Sequence, residues 1–151
     1  MSDKVFIDSN IWLYALIENQ QENDKPKHQL AKQLLTEYTN IHISTQVVNE
    51  VCINLMRKAN KDNDYILTFT QDFLASYTRH QQTTDDLLSA ATLRLDYHFS
   101  YWDSLIVASA LNNQCGLLFS EDMQDGLKVY DNLVISNPFF LHGKPIDFSE
   151  A

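Results

Sequence analysis

The chain has 151 residues, 44% of them hydrophobic and 11% aromatic, with only three glycines and three prolines. That length and apolar content exclude a disordered chain, and the scarcity of Gly and Pro argues against a turn-rich all-β fold. Eleven basic against 20 acidic side chains leave a net charge of −9, the wrong sign for a protein that holds nucleic acid through a basic surface.

No internal repeat, low-complexity tract or Pro/Gly/Ser linker divides the sequence, so residues 1–151 are expected to form one domain. The apolar runs are too short for a membrane span. The opening MSDKVFIDSN lacks a secretory pattern. Cys52 and Cys115 lie far apart in apolar contexts, as reduced core residues would. A cytoplasmic protein without membrane association is the expectation.

In chain order, KVFID (4–8) reads as a short buried strand, followed by a helix over NIWLYALIE (10–18) with Ser9 or Asn10 near its N-cap. After the polar NQQEND loop, Pro26 falls in the first turn of a helix with Leu30, Ala31, Leu34, Leu35 and Tyr38 at helical spacing. NIHIS (40–44) is a second strand, and Thr45 is placed to cap a helix reaching Ala59. Asp62 or Asn63 opens another helix to about His80. TTDD (83–86) is a capping box, Thr83 with Asp86, for a helix to about Tyr97. SYWD (100–103) repeats that signature before LIVASAL, which Gly116 closes after Asn113 and Gln114. GLLFS (116–120) and LVIS (133–136) are third and fourth strands on either side of the polar SEDMQDG. Short strands alternating with helices predict an α/β fold with a mostly parallel central sheet.

In such sheets ligands bind beyond the carboxyl ends of the strands. Asp8 ends the first strand and Ser120, Glu121 and Asp122 the third. Glu50 lies one and a half turns into the helix after the second strand, within reach of the same rim, and Asp103 opens the helix leading to the third. Crowded carboxylates repel one another unless a cation compensates. Hard oxygen ligands suit Mg²⁺ or Mn²⁺, and two such ions support phosphodiester hydrolysis. Taken singly, Asp8 reads as a helix cap, Glu50 as a solvated helix residue and Asp103 as the capping partner of Ser100. Asp122 and Asp125 lie in a turn, where acids are common.

Four blocks in order resemble the PIN-domain family, including its VapC-like ribonuclease toxins: FIDSNIWLYA, STQVVNEV, YWDSLIVASA and LLFSEDMQDG. The closing LVISNPF also looks like the end of that family's domain. The resemblance implies a three-layer α/β/α fold with a short-stranded, mostly parallel sheet and a metal-dependent ribonuclease. It makes Asp8, Glu50, Asp103 and Asp122 both the catalytic acids and the ligands of one or two Mg²⁺ or Mn²⁺ ions. Asn10 and Ser120 match positions that support those carboxylates by hydrogen bonding, and Asp125 falls near the site. Glu121 is expected to point away into solvent. The implied partners are an RNA substrate, a small antitoxin whose basic side chain could enter the acidic site, and a second copy of the chain. The helices over 26–80 are the expected dimer and antitoxin contacts.

The one compact basic group, Arg57, Lys58 and Lys61, is either a solvated helix end favoured by the helix dipole or a grip for RNA phosphates. Trp12 and Tyr14 could stack on bases, although Trp12 at helical spacing reads as core. The five histidines show no zinc spacing, and no Gly-rich phosphate loop or nucleophile elbow is present. A phosphatase of the haloacid dehalogenase type is a rival. Against it, Asn10 stands where that chemistry needs an acid, Trp12 where it needs Thr, and Glu50 and Asp103 would have no role. A PIN-like module without activity is the second rival, opposed by the complete set of four acids.

Overall fold

The computed structural model describes residues 3–18 and 21–148. Asn19 and Gln20 of the predicted polar loop lie outside them. In chain order come β1 (Val5–Ile7), α1 (Ser9–Leu16), a short 3₁₀ turn (Glu22–Asp24), α2 (Lys25–Glu37), β2 (Ile41–Ser44), α3 (Thr45–Ala59) and α4 (Asn63–Ser76). There follow β3 (Thr78–His80), α5 (Thr84–Asp96), α6 (Tyr101–Asn112), β4 (Leu117–Phe119), β5 (Lys128–Val129), β6 (Leu133–Ser136), β7 (Phe140–Leu141) and β8 (Lys144–Pro145).

Six strands form one sheet in the order β3-β2-β1-β4-β6-β5, all parallel except β5. Helices flank this sheet in the three-layer α/β/α arrangement expected from the sequence. β1 lies at its centre, Val5 facing both Ile41 of β2 and Leu117 of β4, and all three of its residues are fully buried. That explains its uninterrupted apolar run, since a strand covered on both faces has no polar side. Among the helices, α1 packs on α2 and α3, α3 on α4, and α5 on α6. Trp12 anchors the first group. Its indole N–H donates to the Ile7 carbonyl at 3.0 Å, and its ring meets Phe73 and Tyr77 edge-on at 4.8 and 4.7 Å.

Strands pass into helices here with almost no loop, and this shifts two predicted caps back by a residue. Asp8, not Ser9 or Asn10, is the N-cap of α1, its carboxylate accepting from the Ser9 N–H. Ser44, the last residue of β2, caps α3 in place of Thr45 by accepting from the Val47 N–H. Thr83 and Asp86 form the predicted capping box of α5, and Asp62 caps α4. Two helix ends differ from expectation. α4 stops at Ser76, and its predicted last turn becomes edge strand β3. α6 ends where Gln114 takes a left-handed conformation at φ 58°, with the Cys115 N–H returning to the Ala110 carbonyl, so Gly116 does not close it.

β3 is held to β2 by more than its backbone. His42 Nδ1 lies 2.7 Å from His80 Nε2, and His42 Nε2 lies 2.9 Å from Asn40 Oδ1. Asn40 Oδ1 only accepts, so a neutral His42 donates to it and accepts from His80. Burial lowers the pKa of both imidazoles, and for His42 the His80 charge adds to that effect. The unfolded chain therefore binds more protons below about pH 6.5, so this contribution to stability is present above that pH and is lost as pH falls. Chemical unfolding at about pH 7.5 and about pH 5 should therefore show the wild type losing stability relative to His80→Gln as pH falls. An equal loss in the variant would count against the pair.

Candidate active site

Parallel pairing places the carboxyl ends of β1 and β4 side by side. The Asp8 N–H extends the ladder to the Phe119 carbonyl at 2.9 Å, which brings Ser120 opposite Asp8. Its hydroxyl donates to Asp8 Oδ2 at 2.8 Å while the Ser9 N–H donates to Oδ1 at 2.8 Å. Both oxygens of a carboxylate that is only 4% exposed are thus engaged. Ser9 turns its hydroxyl to Glu50 Oε2 at 2.9 Å, and Gln46 Nε2 donates to Glu50 Oε1 at 2.9 Å. Across the rim, Asn10 Nδ2 donates to Asp122 Oδ2 at 2.9 Å and Asn10 Oδ1 accepts from the Glu121 N–H. Asp103 sits in the first turn of α6, where the Ser100 hydroxyl accepts from its N–H.

The electrostatics tie the four acids together. Burial raises the Asp8 pKa from 3.8 to about 7. The Ser120 and Ser9 hydrogen bonds oppose the rise, and the charges of Glu50 and Asp103 add to it. Burial likewise raises Asp103, opposed by Ser100 and reinforced by Asp122 and Glu50. Asp8, Glu50, Asp103 and Asp122 therefore share one electrostatic neighbourhood. Neither ion pair among the described residues reaches any of them. As these side chains stand, no three His, Cys, Asp or Glu residues among those described are arranged to hold a metal ion. What suits a hard divalent cation is the chemistry of the set, all of them oxygen donors, with Asp8 and Asp103 bearing charge that burial penalises and no ion pair among the described residues offsets.

Other predicted site residues fall elsewhere. Asp125 accepts from the Asn137 N–H at 2.8 Å and so fixes the loop rather than touching the four acids. Glu121 is not solvated. It pairs with Lys27 at 2.7 Å and accepts from the Tyr14 hydroxyl at 2.9 Å, which raises the Tyr14 pKa to about 12 through burial and the Glu121 contact. Burial works against the Lys27 charge, but Glu121 holds its pKa above the usual range. Lys27 also lies over the Tyr14 and Phe139 rings, so Tyr14 is committed to this cluster, and Trp12 is buried. The basic group divides. Lys58 lines a groove with Asn10, Tyr14, Glu121 and Asp122, Lys61 lies over the Tyr65 ring at 4.6 Å, and Arg57 is exposed.

Sequence reading missed Ser9 and Gln46, which hold Glu50, and Trp102, a residue 66% exposed beside Asp103 in the chain. The i, i+4 spacing of Gln46 and Glu50 was a signal for the Gln46 contact.

The model of the PIN domain matches residues 5–131. The chain belongs to the PIN-domain family. Solved structures similar to this PIN domain include Mycobacterium tuberculosis VapC20, described as a sarcin-ricin loop cleaving toxin, at 16% identity and TM-score 0.63, over 79% of this chain and 92% of that one. A toxin–antitoxin complex from Klebsiella pneumoniae matches at 18% identity and TM-score 0.67, over 91% and 100%. DNA-bound VapBC from Salmonella typhimurium matches at 13% identity and TM-score 0.64, over 90% and 98%. At these identities the likeness is one of fold. A comparison with curated protein sequences gives no match. Among the described residues no helix is long and apolar enough to cross a membrane.

Proposed function

We propose that this PIN domain is a divalent-metal-dependent ribonuclease, the toxin of a toxin–antitoxin pair, with Asp8, Glu50, Asp103 and Asp122 as catalytic acids and ligands of one or two Mg²⁺ or Mn²⁺ ions. The observation that carries the reading is Asp8. It is a carboxylate buried at a strand end, engaged at both oxygens, pushed up to about 7 and coupled to Glu50 and Asp103. A group that only caps a helix has no need of such company. A divalent ion bound there would polarise a phosphoryl oxygen and activate water. Ser9 and Ser120 fix the Asp8 rotamer, Gln46 and Ser9 aim Glu50, and Asn10 holds Asp122 on the rim loop, as carboxylate ligands require. Asp103, half-buried in the first turn of α6, adds a fourth carboxylate that feels the charges of Asp122 and Glu50. Lys58 flanks Asp122 and supplies a cation for substrate phosphate.

The toxin half of the proposal is supported by the toxin–antitoxin structures that share this fold. A basic antitoxin segment suits the −9 charge. The exposed Ile53 and Met56 of α3 and Tyr65 and Leu67 of α4 support dimer or antitoxin contacts on helices within 26–80. A short upstream reading frame for a DNA-binding protein would agree with that assignment.

Cleavage of single-stranded RNA with Mn²⁺ or Mg²⁺ tests the chemistry. Asp8→Asn and Asp103→Asn are expected to lose roughly 100-fold or more, beyond what loss of a supporting group costs, and EDTA should silence the wild type. Equal, EDTA-insensitive cleavage by all three proteins would sink the reading. Binding of RNA without cleavage under any divalent ion would favour the inactive-module alternative.

A further inference from the structure

On the Glu50 side of the acids lies a groove of about 530 Å³ lined by Thr45, Gln46, Asn49, Glu50, Gln82 and Trp102. Its lining holds three carboxamides, a hydroxyl and an indole, but no Lys or Arg. Such a surface suits a neutral planar heterocycle, because an amide offers both a donor and an acceptor to a base edge and an indole offers a face to stack on. It does not suit phosphate, which would meet Glu50 and no cation.

Trp102 is the unusual member. From Ser104 to Ala110 its helix is buried throughout, yet Trp102 itself is 66% exposed. It is nevertheless held in place. Gln46 Nε2 donates to the Trp102 carbonyl at 3.2 Å, and the Tyr101 ring packs edge-on at 5.7 Å. Gln46 also grips Glu50 and accepts from Gln82 Nε2 at 3.5 Å, so the stacking surface and a catalytic acid are positioned by one side chain. Gln82 and the exposed Asn49 line the same groove.

We propose that this groove is a nucleobase subsite, in which the base of a nucleotide beside the scissile phosphate stacks on Trp102 and pairs its edge with Asn49 and Gln82. The assignment rests on the nuclease reading for the position of the scissile phosphate, but not for the binding of the base. The substrate strand then runs from the Trp102 groove, whose lining has no cation, past the acids, to the groove holding Lys58 on the Asp122 side.

The chain has two tryptophans, and Trp12 is buried, so quenching of fluorescence by added RNA reports on Trp102. A short mixed-sequence single-stranded RNA should quench it, and the same ribose-phosphate chain without bases should not. Trp102→Ala should weaken RNA binding roughly tenfold or more and raise KM with kcat unchanged, while Trp102→Phe, which keeps a stacking face, should retain most of the affinity. Matched thermal melts of both variants exclude misfolding. Quenching without any cleavage would keep the subsite and remove the nuclease reading. Cleavage that proceeds with unquenched Trp102 and an unchanged KM in Trp102→Ala would remove the subsite and keep the nuclease. Equal quenching by the base-free chain, or quenching only by a co-purified protein partner, would also overturn it.

Discussion

Asp8→Asn is expected to make the ion-free protein more stable while depriving it of its response to divalent cations. The sign follows from the carboxyl group's pKa, near 3.8 in the unfolded chain and about 7 in the fold. The folded state binds the extra proton, so Asp8's favourable contribution is complete below about pH 4 and disappears as pH rises through 7. Spanning that interval costs the ionised wild type on the order of 4 kcal/mol in alkaline solution. An asparagine carries no charge to desolvate, and its amide can still meet the Ser9 N–H and the Ser120 hydroxyl. Above about pH 7.5 the variant should melt higher by about 5–10 °C in EDTA. Mn²⁺ at 100 times its dissociation constant should stabilise the wild type by about 2.7 kcal/mol and the variant hardly at all. A variant that melts lower than wild type in EDTA would show that Asp8 is a structural cap and little more.

Trp12→Ala carries the other large effect, on folding rather than chemistry. The indole is 1% exposed and joins α1 to α4 through Phe73 and Tyr77. Truncation leaves a cavity and an unpaired Ile7 carbonyl, with an expected cost of about 3–5 kcal/mol. Against a typical total of about 5–15 kcal/mol that would bring the protein near its unfolding threshold. Trp12→Phe refills most of the volume but cannot donate to Ile7, so it should lose about 1–3 kcal/mol. Urea denaturation followed by circular dichroism measures both. A loss below about 1 kcal/mol in the alanine variant would mean that α1 and α4 are held together by other contacts.

The parts of this fold that were legible in the sequence are those where local chemistry and tertiary role coincide. β1, β2, β4 and β6 are short apolar runs because they are buried, and the α5 capping box is entirely local. β3 was lost inside a predicted helix because TRH is polar, as an edge strand can be. The β5–β6 turn escaped because its left-handed positions are Tyr130 and Asp131, at φ 49° and 58°, rather than the Asn-Gly or Asp-Gly that normally announces a hairpin.

In the site, Asp8 and Asp122 stand out by the strand ends they follow. The resemblance supplied Glu50, Asp103 and the supporting Asn10 and Ser120, which bond Asp122 and Asp8. Ser9, which holds Glu50 from 41 residues away, carried no such signal. Glu121 was misread as solvated because Lys27 is 94 residues away, a distance that spacing rules do not span. The cap of α1 was misassigned because Asp8 ends a strand and starts a helix at once. The aromatic best placed for stacking, Trp102, is distinguished from Trp12 by exposure, which only the packing of α6 decides.

The two margins of the sheet have a consequence for how this protein meets other chains. One margin is Thr78–His80 and the other Lys128–Val129, segments of three and two residues carrying Arg79, His80 and Lys128. Neither offers a long, flat, apolar row of free amides and carbonyls on which a foreign strand could grow. Copies crowded together during synthesis thus find no such template at either margin of this sheet. Specific assembly is left to side-chain surfaces on the helices, where shape can discriminate one partner from another.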